Sequence, residues 1–122
     1  VNALPGQPTI LVAEDEMLVA MLLETTLEEA GCHVMMAARL TKGLEIAMTQ
    51  PIDAAILDIN LAGQPSFALA DALLERSIPF AFASGYGAGG LLDAYRHVFI
   101  LQKPYDMADI KATVDTLLKR DH

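Results

Sequence analysis

Five short apolar runs punctuate the chain, and between them apolar positions recur at helical spacing. The runs cover residues 9–13, 33–37, 54–58, 80–84 and 98–102. The third is continuously apolar enough to predict a strand buried on both faces, and the others predict strands, the second more weakly than the rest. Val19, Leu22, Leu23, Leu27 and Ala30 share one stripe of a helix over 17–30, with Glu24, Thr25, Glu28 and Glu29 facing out and Gly31 as its stop. Leu40, Leu44, Ala47 and Met48 mark a shorter helix closed by Gln50-Pro51. Gly63-Gln64-Pro65 reads as a loop, and Phe67, Ala70, Leu73 and Leu74 mark a third helix, which ends near Ser77. Met107, Ile110, Val114, Leu117 and Leu118 line the last, with Asp106 as N-cap, Asp109 in the first turn, and Lys119 and Arg120 at its end. After Ser84 come Gly85, Gly87, Gly89 and Gly90, then one or two helical turns over 91–97. Glycine is costly to order, so this segment is expected to be mobile.

Strands thus alternate with helices five times, which predicts an α/β fold with a parallel sheet covered on both faces. Residues 1–8 read as a flexible leader and 9–122 as one domain. No internal repeat, linker or second domain is visible, and no stretch after the last helix would hold an output domain. A domain cut from a longer parent, such as a hybrid kinase, would read the same way.

Composition narrows the class. A chain of 122 residues that is 53% apolar can bury a real core. No apolar run approaches the ~20 residues of a membrane span, and residues 1–8 lack the pattern of a signal peptide. The single cysteine, Cys32, cannot form an internal disulfide and suits a reducing cytosol. The net charge of −8, with scattered Lys and Arg, argues against direct nucleic-acid binding. His33, His97 and His122 are too dispersed for a metal site, and the six methionines read as core filler.

The chemistry lies at the carboxyl ends of the strands. Strand one ends in Glu14-Asp15, strand three in Asp58, strand four in Ser84, and strand five in Lys103-Pro104. In a parallel sheet these ends share one rim. Loop polarity explains each group singly, but the set less well. Three carboxylates in one cleft repel unless a cation joins them, and hard oxygen donors favour Mg²⁺. A carboxylate beside Mg²⁺, a lysine and a hydroxyl can take a phosphoryl group.

This ordered set resembles the receiver domain of two-component response regulators, over about residues 9–119. The resemblance implies a flavodoxin-like, doubly wound sheet in the order 2-1-3-4-5. It implies that Asp58 accepts phosphate from a sensor histidine kinase or a histidine phosphotransfer protein. Asp15 would bind Mg²⁺ directly, Glu14 largely through water, and the Asn60 backbone carbonyl would be a further ligand beside Asp58. Ser84 and Lys103 would contact the phosphoryl group, and the Lys103-Pro104 peptide would be cis. Such a protein is a cytoplasmic switch, catalysing only its own phosphorylation and dephosphorylation.

Two positions depart from the common pattern. Ser84 stands where many receivers have Thr, which keeps the hydroxyl. Ile100 stands where they place the aromatic that swings inward on phosphorylation. The stretch Pro79-Phe80-Ala81-Phe82-Ala83-Ser84-Gly85-Tyr86 is similar to the motif of the FAT GUY subgroup of receivers, which lack this aromatic and are often single-domain and paired with HWE or HisKA2 kinases. The loop after strand four is then expected to order on phosphorylation and to change partner binding. Tyr86 would either gate water or be an ordinary loop aromatic. Met17, Leu18 and Met21 fall partly off the core stripe of helix one, and offer either a docking face for the kinase or more core.

Other functions remain open at this point. The protein would be a phosphate sink or shuttle if it only competes for the kinase, or a phosphate-independent interaction module. An Asp-nucleophile phosphatase of the haloacid-dehalogenase type would carry a second Asp two residues on, where this chain has Asn60.

Overall fold

The computed structural model describes residues 6–85, 95 and 97–119. The leader residues 1–5, most of the glycine-rich loop with Tyr86, the expected turns over 91–97 save Tyr95 and His97, and Arg120 and His122 lie outside the described residues. In chain order the elements are β1 (Thr9–Ala13), α1 (Met17–Glu29), β2 (His33–Ala37), α2 (Leu40–Thr49), β3 (Ala54–Asp58), β4 (Asn60–Leu61), β5 (Gln64–Pro65), α3 (Phe67–Glu75), β6 (Phe80–Ser84), β7 (Phe99–Gln102) and α4 (Met107–Leu118). The main sheet runs β2-β1-β3-β6-β7 with every pair parallel. Setting aside the small β4–β5 hairpin, that is the order 2-1-3-4-5 of a flavodoxin-like fold.

Strand alternation splits the core in two. Leu11, Ala13, Ala55, Leu57, Phe80 and Phe82 point to one face, where Ile46, Ala47, Leu69 and Leu73 of α2 and α3 cover them. Ile10, Val12, Ala54, Ile56, Ala81 and Ala83 point to the other, under Leu23, Leu27, Ile110 and Val114 of α1 and α4. Each fully buried Leu, Ile or Phe contributes about 1.5–3 kcal/mol. The central strands are therefore buried on both sides, which is why they read as unbroken apolar runs.

The helix ends follow local chemistry. Gly31 takes a φ of +87° after α1, a left-handed turn that suits glycine. Asp106 and Asp109 form a reciprocal capping box at the start of α4. Past the end of α3, the Arg76 guanidinium donates to the carbonyls of Ala47 and Gln50, the latter at 2.8 Å, fastening α3 to the end of α2.

Four expectations are corrected. Gln64-Pro65 is not loop but half of a hairpin with Asn60–Leu61. Its two-residue turn has positive φ at both Ala62 (51°) and Gly63 (84°), as a type I′ turn requires. Met48 is not in the core of α2 but 69% exposed. A Cβ on Gly43 would lie 2.9 Å from Leu69 Cδ2, so Gly43 faces α3, and Met48 sits about 140° further round the helix. Leu74 and Met107, also placed on core stripes, are more than a third exposed. Leu74 lies about 100° beyond the buried Leu73, and Met107 stands in the first turn of α4. Nor are the methionines core filler as a group. Met17, Met21, Met48 and Met107 are exposed and Met35 and Met36 half-buried, because they sit in first turns, off the helix stripes, or on the edge strand β2. Cys32 is buried in the core, as expected. No helix among the described residues is long and apolar enough to cross a membrane.

Candidate functional site

The strand register assembles the site. Ala13 pairs with Leu57, so Glu14 emerges beside Asp58. Asp58 pairs with Ala83, and Ser84 with Gln102, so Ser84 and Lys103 emerge one step further along the rim. The Lys103 amide donates to the Ser84 carbonyl at 2.8 Å, and the Glu14 amide to the Ala37 carbonyl at 3.0 Å. The Lys103–Pro104 peptide is cis.

Four of the expected side chains meet. Carboxylate oxygens of Glu14, Asp15 and Asp58 all lie within 4.8 Å of one another. The Lys103 ammonium is 3.3 Å from Asp58 Oδ2 and 3.5 Å from Glu14 Oε1. Glu14 is 2% exposed. Its Oε2 accepts from the Glu16 amide at 3.0 Å, while its buried Oε1 has, among the described residues, the Lys103 ammonium at 3.5 Å and no shorter partner. Asp15 faces solvent. Ser84 is buried at the end of β6, and Asn60 is exposed at the start of the hairpin just beyond Asp58.

The electrostatics are those of an incompletely neutralised cluster. Burial, reinforced by the Glu14 charge and opposed by Lys103, pushes the Asp58 carboxyl up to about 6. Burial pulls Lys103 down, but Asp58 and Glu14 outweigh it and hold the ammonium above its ordinary value. Burial and the nearby carboxylates also raise Tyr105, whose buried hydroxyl has no hydrogen-bond partner among the described residues. One lysine faces three carboxylates, and an under-satisfied carboxylate oxygen lies buried among them. An all-oxygen donor set with excess negative charge fits a hard divalent cation such as Mg²⁺.

Three further residues tie this rim to its surroundings. Ser66, fully buried, donates its hydroxyl to the Asp58 carbonyl at 2.6 Å. Tyr95 stacks on Phe67 at 5.0 Å, meets Phe82 edge-on at 5.8 Å, and donates its hydroxyl to Asp71 on α3. Ile100 is half-buried against the same cluster. Residue order gave no sign of these contacts: Ser66 stands just before a helical stripe, and Tyr95 follows a glycine-rich stretch with no periodicity.

The comparisons agree with this geometry. The sequence model described as the response regulator receiver domain matches residues 10–115. The chain belongs to that family. It is 33% identical over 114 residues to the phyllosphere-induced regulator PhyR of Methylorubrum extorquens, covering 89% of this chain and 43% of PhyR. It is 30% identical over 122 residues to the transcriptional activator protein PfeR of Pseudomonas aeruginosa, covering 93% and 38%. The chain therefore spans about two-fifths of the length of these curated relatives. Among solved structures, SdrG from Sphingomonas melonis superposes with a TM-score of 0.80 at 37% identity, over 92% of this chain and 97% of SdrG.

Proposed function

We propose that this chain is a phosphoacceptor signalling switch, phosphorylated on Asp58 by a histidine kinase or histidine phosphotransfer protein. The convergence of Asp58 with Glu14, Asp15 and Lys103 at one sheet edge carries this reading. In the transfer, an Asp58 carboxylate oxygen forms a bond to phosphorus as the bond from phosphorus to the donor's imidazole nitrogen breaks. That nitrogen then takes up a proton. Lys103, already 3.3 Å from Asp58, follows the new charge on the transferred group. Ser84 offers that group a hydroxyl. Mg²⁺, held by Asp15, Asp58, the Asn60 carbonyl and, through water, Glu14, would neutralise charge on the transferred oxygens. Two residues after Asp58, where a haloacid-dehalogenase-type phosphatase carries its second Asp, stands Asn60, and this favours a switch over an enzyme with a second substrate.

The donor's docking surface is the exposed start of α1. Met17 (75% exposed), Leu18 (79%) and Met21 (55%) stand beside the acidic pair. Next to them an apolar groove of about 410 Å³ runs between Val19, Leu22, Pro104 and Tyr105 and reaches Lys103. A helical phosphodonor seated there would bring its histidine to the rim, and the FAT GUY-like motif points to an HWE or HisKA2 kinase. With Ile100 in place of the usual aromatic, the phosphorylated state is read through the segment after Ser84.

The test is incubation with Mg²⁺ and a small phosphodonor. An acid-stable, base-labile phosphate is expected on the unmodified protein and none on Asp58→Asn. No label on the unmodified protein would favour a phosphate-independent interaction module, and label surviving in the variant would remove Asp58 as acceptor.

A further inference from the structure

Ser66 occupies the N-cap of α3, where a serine hydroxyl ordinarily accepts from the first-turn amides. It makes no such cap bond. The hydroxyl donates instead to the Asp58 carbonyl at 2.6 Å, and the Ser66 amide donates to the next carbonyl, that of Ile59, at 2.8 Å. One fully buried residue thus clamps two successive peptide planes immediately after Asp58. Because each peptide is planar, fixing these carbonyls fixes the rotation at Ile59 and the ψ of Asp58. The third carbonyl in the row is that of Asn60.

We infer that Ser66 is a positioning residue for Asp58: its hydroxyl holds the following peptide so that the carboxylate meets Lys103 and the Glu14–Asp15 pair in register. This inference rests on the reading of Asp58 as phosphoacceptor. The hydroxyl serves the backbone of Asp58 and not the helix start, unlike the Asp106 side chain in α4. Without the Ser66 hydroxyl, the Asp58 carbonyl loses a buried donor and the peptide gains freedom to turn. Misplacement of a reacting group by a fraction of an ångström lowers a rate without abolishing the site.

The test is carried out on the full chain, with phosphoryl uptake from acetyl phosphate followed at saturating Mg²⁺ and donor. Ser66→Ala is expected to lower the maximal rate at least about tenfold and to shift the Asp58 carbonyl ¹³C resonance. Ser66→Thr, which retains the hydroxyl, is expected to recover most of the rate. Thr113→Ala removes another buried hydroxyl, one that donates to Asp109 within α4 at 2.8 Å, and serves as control. It is expected to lower the melting temperature while leaving the maximal rate unchanged. The inference is overturned if Ser66→Ala is labelled at the unmodified rate, whatever its melting temperature. A threonine variant no faster than the alanine variant overturns it too. Absence of label on the unmodified chain is a different result: it removes the phosphoacceptor reading, and this inference falls with it.

Discussion

Helices α3 and α4 both begin just beyond a strand that ends in the acidic cleft, yet they begin differently. α4 closes on itself: Asp106 accepts from the Asp109 amide at 2.9 Å and Asp109 accepts from the Asp106 amide at 3.0 Å. α3 sends its N-terminal hydroxyl away from the helix to the backbone of Asp58. The first arrangement satisfies the helix start from within α4. The second leaves first-turn amides without an acceptor from the N-cap side chain while it ties the helix to the backbone of Asp58. Where a residue with good capping chemistry is diverted from the cap, the new partner shows what that position serves.

Four measurements sharpen or break this contrast, beyond those on Ser66. The largest effect is expected from labelling: Asp58→Asn loses all phosphate uptake, whereas Asp106→Ala keeps the unmodified rate. A rate loss in Asp106→Ala would show that the start of α4 also serves the site. Next comes stability in the absence of divalent cations. The folded-state value of about 6 for Asp58 lies above its ordinary 3.8, so the folded protein holds that proton more tightly than the unfolded chain. The stabilisation is present in full below pH 4 and lost as pH rises through about 6. Asp58→Asn is therefore expected to be more stable than the unmodified protein at pH 7, with the difference vanishing toward pH 4. Denaturant melts in EDTA at both pH values check this.

Asp106→Ala is expected to cost about 1 kcal/mol of stability through the lost cap, read from the denaturant midpoint. The smallest effect is expected from Tyr95→Phe. It keeps the ring stack on Phe67 and loses only the hydrogen bond to Asp71, worth about 0.5–1 kcal/mol at an exposed carboxylate. Labelling should be unchanged. A slower rate in that variant would extend the α3 linkage from Ser66 as far as the segment after β6.

The contrast between the two helices also marks what was legible in the chain. The α4 cap could be read because both partners lie three residues apart. The strand ends could be read because a buried parallel strand is a bare apolar run, and Glu14, Asp58, Ser84 and Lys103 each follow one directly. Their meeting required only the order of strands and a common rim. Contacts between distant residues in mixed sequence were not legible. The link from Ser66 to Asp58 spans eight residues across a hairpin too short to show alternation, with an alanine in an unusual positive-φ turn. The stack of Tyr95 on Phe67 spans a stretch rich in glycine. Met48 was misplaced for a related reason: periodicity identifies an apolar stripe, but the close approach at Gly43 decides which part of it turns inward.

The far end of α3 gives its near end a further meaning. Arg76 grips the last carbonyls of α2, and Ser66 grips the peptides after Asp58. In mechanical terms α3 is a beam of nine residues, about 14 Å long, built in at both ends. A displacement of the backbone at Asp58 is therefore expected to reach the end of α2 through α3.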